Sequence, residues 1–284
     1  MFDRVYVEIG NVCNMKCSFC SGTRREKKQM TFEEFDLVCK RLLGYTENLL
    51  FHVMGEPLLH PELDAFLKTA KNYGYKVSIT TNGTLISKKK SILISNADAI
   101  HRISFSLHAP EGNSDSLSIE KYLDNIIDFA KEFSAMDKNT VFRLWNMDTE
   151  EKSGLNSKNS EILEKLHKEY QLEWQKRYSG YRLAYRTFLE FDGIFTWPSE
   201  SEAKECESGR CLALSRQIAI LVDGTVVPCC LDSEGLIPLG NIFNSELSDI
   251  ISSDTAKNIL DGFKRGVMVH PVCKKCTYAR RFSK

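Results

Sequence analysis

Two periodicities alternate along most of this chain. Short apolar runs of strand length recur at Val5–Ile9 (VYVEI), Leu49–Met54 (LLFHVM), Lys76–Thr80 (KVSIT), within Ile100–Leu107, at Val141–Trp145 (VFRLW) and at Leu183–Phe191. Between them lie stretches with the 3.6-residue spacing of helices. Thr31 and Glu34 form a capping-box pattern, and Phe35, Val38, Cys39 and Leu42 follow it on one face. Pro61 opens a second helix that Gly74 ends, and Ile119–Phe133 and Glu161–Tyr170 read as further helices.

Strand followed by helix, repeated, predicts a parallel sheet with helices outside. About six units are present, fewer than the eight of a closed barrel. The expected fold is α/β, a partial (β/α)6 TIM-like barrel over 1–197. Sites in such folds gather at the carboxyl ends of the strands. Thr149–Ser160 is polar and reads as an exposed loop. From about Pro198 cysteines and glycine turns replace the rhythm, so 198–284 reads as a small cysteine-rich second domain. Within it, ILVDGTVVPCC predicts a hairpin turning at Asp223-Gly224.

Composition adds little except in one respect. Of 284 residues, 42% are hydrophobic and 27% charged, as in ordinary globular proteins. Lys plus Arg balances Asp plus Glu at 38 each, so nothing global argues for a nucleic-acid partner or an anionic membrane. The amino terminus lacks a secretory h-region, and no apolar run could span a bilayer, so the expected location is the cytoplasm. Ten cysteines are then anomalous. In a reducing compartment, closely spaced cysteines read as metal or redox sites rather than disulfides.

Cys13, Cys17 and Cys20 place three thiolates on one loop after the first strand. Thiolates are the usual ligands of iron–sulfur clusters, and three of them leave one iron of a cubane open. A structural zinc would want a fourth ligand, and none lies nearby in sequence. Met54-Gly55-Glu56-Pro57, Thr81-Asn82-Gly83 and Ser104-Phe105-Ser106-Leu107-His108 follow at the ends of successive strands.

Together these motifs resemble the radical S-adenosylmethionine (SAM) superfamily. The resemblance implies a [4Fe-4S] cluster on Cys13, Cys17 and Cys20 that binds SAM. It implies SAM contacts from Phe19 and from Met54, Gly55 and Glu56, with Met54 standing where the family has a glycine. Thr81 and Asn82, and Ser104 and Ser106, match further contact positions, with Arg143 and Asn146 as weaker ones. It also implies a flavodoxin- or ferredoxin-type electron donor.

The second cysteine group resembles the SPASM/twitch region of the same superfamily: Cys211, Gly224 and Cys229, Gly240-Asn241, then Cys273 and Cys276. The sequence ends shortly past Cys276, so the expectation is the shorter, twitch-like version with one auxiliary [4Fe-4S] cluster on Cys211, Cys229, Cys273 and Cys276. A four-cysteine zinc site is the alternative. Cys206 competes with Cys211 as a ligand. Cys230 is either a buried thiol or a hydrogen donor facing the barrel, since neighbours on a strand point to opposite faces.

His52 reads as a core residue, His108 as closer to the site, and Arg186, Glu190 and Asp192 as candidates to reach substrate. No further domain precedes the first strand, which weighs against a dedicated leader-peptide module. The expected substrate is a peptide, protein or small polar metabolite. Competing readings are a tRNA- or nucleotide-modifying member, resting on the Tyr- and Arg-rich segment at 177–186 and on the tail after Tyr278, and a non-enzymatic iron–sulfur or zinc module.

Overall fold

The structure is a computed structural model and describes residues 1–109, 118–147, 157–193, 197–198 and 204–279. The elements in chain order are β1 (Arg4–Val7), α1 (Phe32–Arg41), β2 (Asn48–Phe51), α2 (Leu63–Asn72), β3 (Lys76–Thr81), α3 (Ile86–Ser95), β4 (Ile100–Ser106), α4 (Ile119–Ala135), β5 (Asn139–Met147) and α5 (Ser157–Glu169). They continue with β6 (Gln175–Arg177), β7 (Gly180–Ala184), β8 (Thr187–Gly193), β9 (Gln217–Ile220), β10 (Thr225–Val227), β11 (Gly240–Asn241), α6 (Leu247–Ile251), α7 (Asp254–Lys264) and α8 (Pro271–Lys275).

One eleven-stranded sheet runs in the order β11-β10-β9-β1-β2-β3-β4-β5-β8-β7-β6. Strands β1 to β5 and β8 pair in parallel, which makes the six barrel strands the sequence pattern predicts. Strand β9 adds to β1, also in parallel. The boundary expected near 198 therefore falls between two strands of one sheet.

Local chemistry explains the framework. Thr31 and Glu34 make both hydrogen bonds of a capping box at the start of α1. That helix buries Phe35, Val38 and Cys39 against the sheet, and Phe35 stacks on Phe66 of α2. On β4 and just past it, Ile103, Phe105 and Leu107 join the core under the helices. The alternate residues Arg102, Ser104 and Ser106 consequently face the barrel interior.

Three expectations need correction. Leu183–Phe191 is a hairpin, β7 and β8, and not one strand. Its turn uses Tyr185 and Arg186, with Arg186 at φ 56°, and neither is a residue type that marks a turn. Helix α3 carries no helical apolar pattern, since it buries only Ile86 and Leu93 and holds three consecutive lysines, Lys88 to Lys90. Strand β2 ends at Phe51, and His52 to Met54 lie beyond it in a bend. The polar loop expected at 149–160 lies mostly outside the described residues, as does the tail from 280.

Candidate active site

The loop after β1 carries Cys13, Cys17 and Cys20. Its backbone already treats two of the sulfurs as acceptors: Met15 N–H points at Cys13 Sγ at 3.4 Å, and Gly22 N–H at Cys20 Sγ at 3.4 Å. Asn82 Nδ2 lies 3.9 Å from Cys13 Sγ. Cys17 donates to Ala109 O at 3.7 Å. Burial raises the Cys13 thiol, while the Met15 N–H and the Asn82 side chain pull the other way, towards the thiolate that ligates iron.

Glu56 ties three loops together. Its carboxylate accepts Thr81 Oγ1 at 2.7 Å, the Asn82 backbone N–H at 2.7 Å and Leu58 N–H at 3.0 Å. Its own N–H donates to Val12 O at 2.9 Å in the cysteine loop. Burial pushes its carboxyl above the usual range, while those donors pull the other way. Gly55 has φ +81°, and a Cβ there would sit 2.4 Å from Gly10 O, so the loops can approach only at a glycine. Met54, in place of the family's other glycine, is buried and leaves that approach intact.

Beneath this lies a residue pair that sequence reading missed. Glu8, fully buried on the last turn of the first apolar run, takes Arg25 Nη2 on both oxygens at 2.7 and 2.8 Å. It also accepts Met54 N–H at 3.1 Å and Val222 N–H at 3.0 Å. Glu8 thus joins the cysteine loop, the Gly55-Glu56 loop and the β9–β10 turn. A glutamate in an otherwise apolar strand was the visible sign; nothing in the sequence points to Arg25.

The remaining expected SAM-contact residues divide. Phe19 packs on His108 with ring centroids 4.9 Å apart. Arg143 Nη1 donates to Thr80 Oγ1 at 3.2 Å, and its guanidinium lies over Trp145 at 4.5 Å. Ser104 and Ser106 share the interior face with them. Asn146 does not join this set: its amide and that of Asn159 bond each other reciprocally at 3.1 Å, pinning α5 to β5.

The second cysteine set comes from separate places, Cys211 before β9, Cys229 after β10, and Cys273 and Cys276 at α8, and among the described residues no three side chains of either set stand close enough to hold a metal ion. Burial raises the Cys211, Cys229 and Cys273 thiols, and neighbouring thiols raise them further: Cys276 acts on Cys211, Cys230 and then Cys211 and Cys273 on Cys229, and Cys211 and Cys276 on Cys273. Cys273 and Cys276 share a tight turn at the end of α8, with Cys276 N–H on Cys273 O at 3.1 Å. Cys206 is close in backbone, its N–H on Lys274 O at 3.0 Å, but its thiol donates to Ser208 O at 3.1 Å. Burial pushes the Cys230 thiol up to about 11, with the nearby Tyr6 hydroxyl and Arg4 opposing the shift.

One cavity of about 470 Å³ joins both sets: Phe19 and Cys20 on one side, and Cys211, Cys229, Cys230 and Cys276 on the other. Glu190, Arg143, Arg102 and His52 also line it. Two residues expected to reach substrate do not. Arg186 sits in the β7–β8 turn, ion-paired to Asp137 at 2.9 Å, and Asp192 accepts Gly193 N–H instead of lining the cavity. In the Tyr- and Arg-rich segment, Arg177 lies over Phe188 at 4.8 Å and Tyr181 packs edge-on to Phe191.

Residues 7–155, just over half of the chain, match the family model of the radical SAM superfamily. This chain belongs to the radical SAM superfamily. Residues 211–277 match the SPASM model, an iron–sulfur cluster-binding domain. The two matches give SAM and iron–sulfur clusters as its cofactors.

Among sequence relatives is a tungsten-containing aldehyde ferredoxin oxidoreductase cofactor-modifying protein of Pyrococcus furiosus, 30% identical over 88 residues, 29% of this chain and 24% of that one. An S-adenosyl-L-methionine-dependent 2-deoxy-scyllo-inosamine dehydrogenase of Niallia circulans is 29% identical over 97 residues, 32% of this chain and 39% of that one. The matched segments span about a quarter to two-fifths of those relatives' lengths. Among solved structures, BtrN in complex with AdoMet and 2-DOIA aligns over 98% of this chain and 93% of its own, with TM-score 0.63 and 19% identity. Streptococcus suis SuiB bound to S-adenosylmethionine aligns over 91% of this chain and 68% of its own, with TM-score 0.61 and 17% identity. These likenesses agree on the partial barrel. Among the described residues, no helix is long and apolar enough to cross a membrane.

Proposed function

We propose that this radical SAM enzyme holds its SAM-binding cluster on Cys13, Cys17 and Cys20 and its auxiliary cluster on Cys211, Cys229, Cys273 and Cys276. It oxidises a peptide or a small polar metabolite held between them. The observation that carries this reading is the single cavity bounded by both cysteine sets. When bound, SAM at its reduced cluster supplies a 5′-deoxyadenosyl radical able to take a hydrogen atom from a substrate carbon.

The chain's residues then have distinct tasks. Glu56, through Thr81 and Asn82, holds the loops around Cys13 in register. Phe19 and His108 wall one side of the cavity and exclude water. Completing an oxidation requires loss of one proton and one electron from the substrate. A Glu190 carboxylate oxygen is placed to take the proton, and the Cys211 to Cys276 side of the cavity to take the electron. A flavodoxin- or ferredoxin-type protein supplies the starting electron. Similar structures contain either substrate class: 2-DOIA with BtrN, and a peptide with anSMEcpe or SuiB.

One observation favours a second outcome. Cys230 lines the same cavity, so its thiol is placed to return a hydrogen atom and leave the substrate epimerised, not oxidised. The test of the main reading is anaerobic purification, iron and sulfide reconstitution, and measurement of 5′-deoxyadenosine with SAM and a strong reductant. Wild type is expected to form it, and the Cys13/Cys17/Cys20→Ala triple variant is not. Equal formation by both proteins would remove the first assignment. Cys276→Ala is expected to lower the iron content while leaving SAM cleavage; zinc at that site in the wild type would favour the structural alternative.

A further inference from the structure

The turn after β3 is held from two sides. Glu56 takes the Asn82 N–H at 2.7 Å, and Tyr122 of α4 donates its hydroxyl to the Asn82 carbonyl at 2.7 Å. Both backbone polar groups of one residue are thus fixed by side chains from two other elements. The Tyr122 hydroxyl also lies 3.5 Å from Ser106 O. The β3–β4 ladder ends at the pair Thr81 and Phe105, so Asn82 and Ser106 stand one step further, where the strands part. Tyr122 reaches across that gap.

Packing explains why an aromatic residue stands there. Helix α4 buries one face, which includes Tyr122, Leu123, Ile126 and Ile127. Tyr122 and Ile126 are four residues apart and so are neighbours on that face. Ile126 packs on the same turn: Gly83 has φ +77°, and a Cβ there would meet Ile126 Cδ1 at 2.5 Å. Phenylalanine would fill the space of Tyr122 equally well, so packing does not account for the hydroxyl. A buried hydroxyl must find a partner. Burial, then Glu56 and Cys17, raise the Tyr122 hydroxyl, so it stays protonated and donates.

The consequences run through Asn82. Its side chain lies 3.9 Å from Cys13 Sγ and 3.0 Å from Asn14 Oδ1, and its Oδ1 accepts Thr84 N–H at 3.0 Å. Without the Tyr122 hydroxyl, the Asn82 carbonyl loses the donor that opposes Glu56, and the peptide is free to tilt about the Glu56 bond. The Asn82 amide then leaves its place beside Cys13. Asn82 and Ser106 are both positions at which the family resemblance implies SAM contact. Tyr122 itself is buried and does not line the cavity.

We propose that Tyr122 is a positioning residue of the SAM site: its hydroxyl sets Asn82 and Ser106 against the Cys13 loop, and thereby sets the affinity for SAM. This rests on the reading of Cys13, Cys17 and Cys20 as ligands of the SAM-binding cluster.

The test compares Tyr122→Phe with Tyr75→Phe in the full chain after anaerobic reconstitution. Tyr75 is a matched control, because its buried hydroxyl donates to another carbonyl, Cys39 O of α1, at 2.6 Å. Each variant loses one buried hydrogen bond, so both should lose similar thermal stability. The dissociation constant for SAM, from equilibrium dialysis, should rise about five- to tenfold in Tyr122→Phe, as a hydrogen bond of ordinary net strength implies. Tyr75→Phe should keep the wild-type value, and all three proteins should hold equal iron. In 5′-deoxyadenosine formation, KM for SAM should rise by more than kcat falls. The EPR spectrum of the reduced cluster with SAM should shift in Tyr122→Phe alone.

Equal SAM affinity in wild type and Tyr122→Phe overturns the proposal. So does an equal rise in Tyr75→Phe, which would make the effect one of general stability. Should Tyr122→Phe fail to fold, Ile126→Val, which removes the methyl group facing Gly83, serves in its place; a rise of about two- to threefold is expected, and no rise overturns the proposal. A wild type that holds iron yet binds no SAM removes the cluster reading and the proposal together. A wild type that binds SAM beside an unaltered Tyr122→Phe removes the proposal alone, so the two failures are distinguishable.

Discussion

Glu56 accepts the backbone N–H of Asn82 at 2.7 Å, and the Asn82 side chain in turn reaches Cys13 Sγ at 3.9 Å and Asn14 Oδ1 at 3.0 Å. A buried carboxylate thereby sets the position of the first cysteine through one intermediate residue. Glu56→Gln turns an acceptor oxygen into an amide that opposes the donors around it. We expect a loss of about 1–3 kcal/mol in stability, the usual cost of a buried unpaired donor, together with slower 5′-deoxyadenosine formation. Thermal melting and the SAM-cleavage assay check both; unchanged values in both would show that the tie is dispensable.

Arg25→Ala should be more severe. It strands the Glu8 carboxylate, which has no exposure to solvent, and breaking a buried ion pair from one side costs about 3–5 kcal/mol. Replacing Glu8 by Gln in the same protein should recover part of the loss, because the charge is then gone. Denaturant unfolding of both variants measures this, and an Arg25→Ala protein as stable as wild type would contradict the linkage.

Cys206 and Cys211 should separate cleanly. Cys211→Ala is expected to lose the auxiliary iron, since its thiol interacts electrostatically with Cys276. Cys206→Ala should keep it, since that thiol is turned to Ser208 O. Iron per chain, counted after reconstitution in the absence of the first three cysteines, decides; the opposite result would exchange the two assignments.

His52 gives a pH dependence. Folding lowers this imidazole from 6.5 to about 3, chiefly by burial, so folding favours the neutral ring. Its contribution is fully present above about pH 6.5 and is lost as pH falls towards 3. Between pH 8 and pH 5 the loss is about 1–2 kcal/mol by proton linkage. His52→Gln should flatten that part of the stability curve relative to wild type. Parallel curves for the two proteins would mean that His52 accepts a proton without strain.

Much of this was legible before any coordinates. The six parallel strands follow from apolar runs spaced by helical stretches, and the motif order Cys13 to Cys20, Gly55-Glu56, Thr81-Asn82 is visible because each motif sits at a strand end. Gly55 is an example of local necessity: only glycine tolerates φ +81° with a carbonyl 2.4 Å from where a Cβ would be. The β7–β8 turn was not legible, because Tyr185-Arg186 has no turn chemistry and the alternation runs through it unbroken.

The sequence by itself determined the family, the strand–helix order and the two cysteine sets, since these depend on residues close together along the chain. Tertiary structure alone decided that β9 pairs with β1, carrying the second set to the cavity beside β1, and that Glu8 meets Arg25 and Val222. It also decided that Arg4, Arg102 and Arg143, from three different strands, line one cavity. Side chains alternate faces along a strand, so each arginine's direction is set locally. Their convergence depends on which strands are neighbours and on how the sheet curves, and no stretch of contiguous sequence records that.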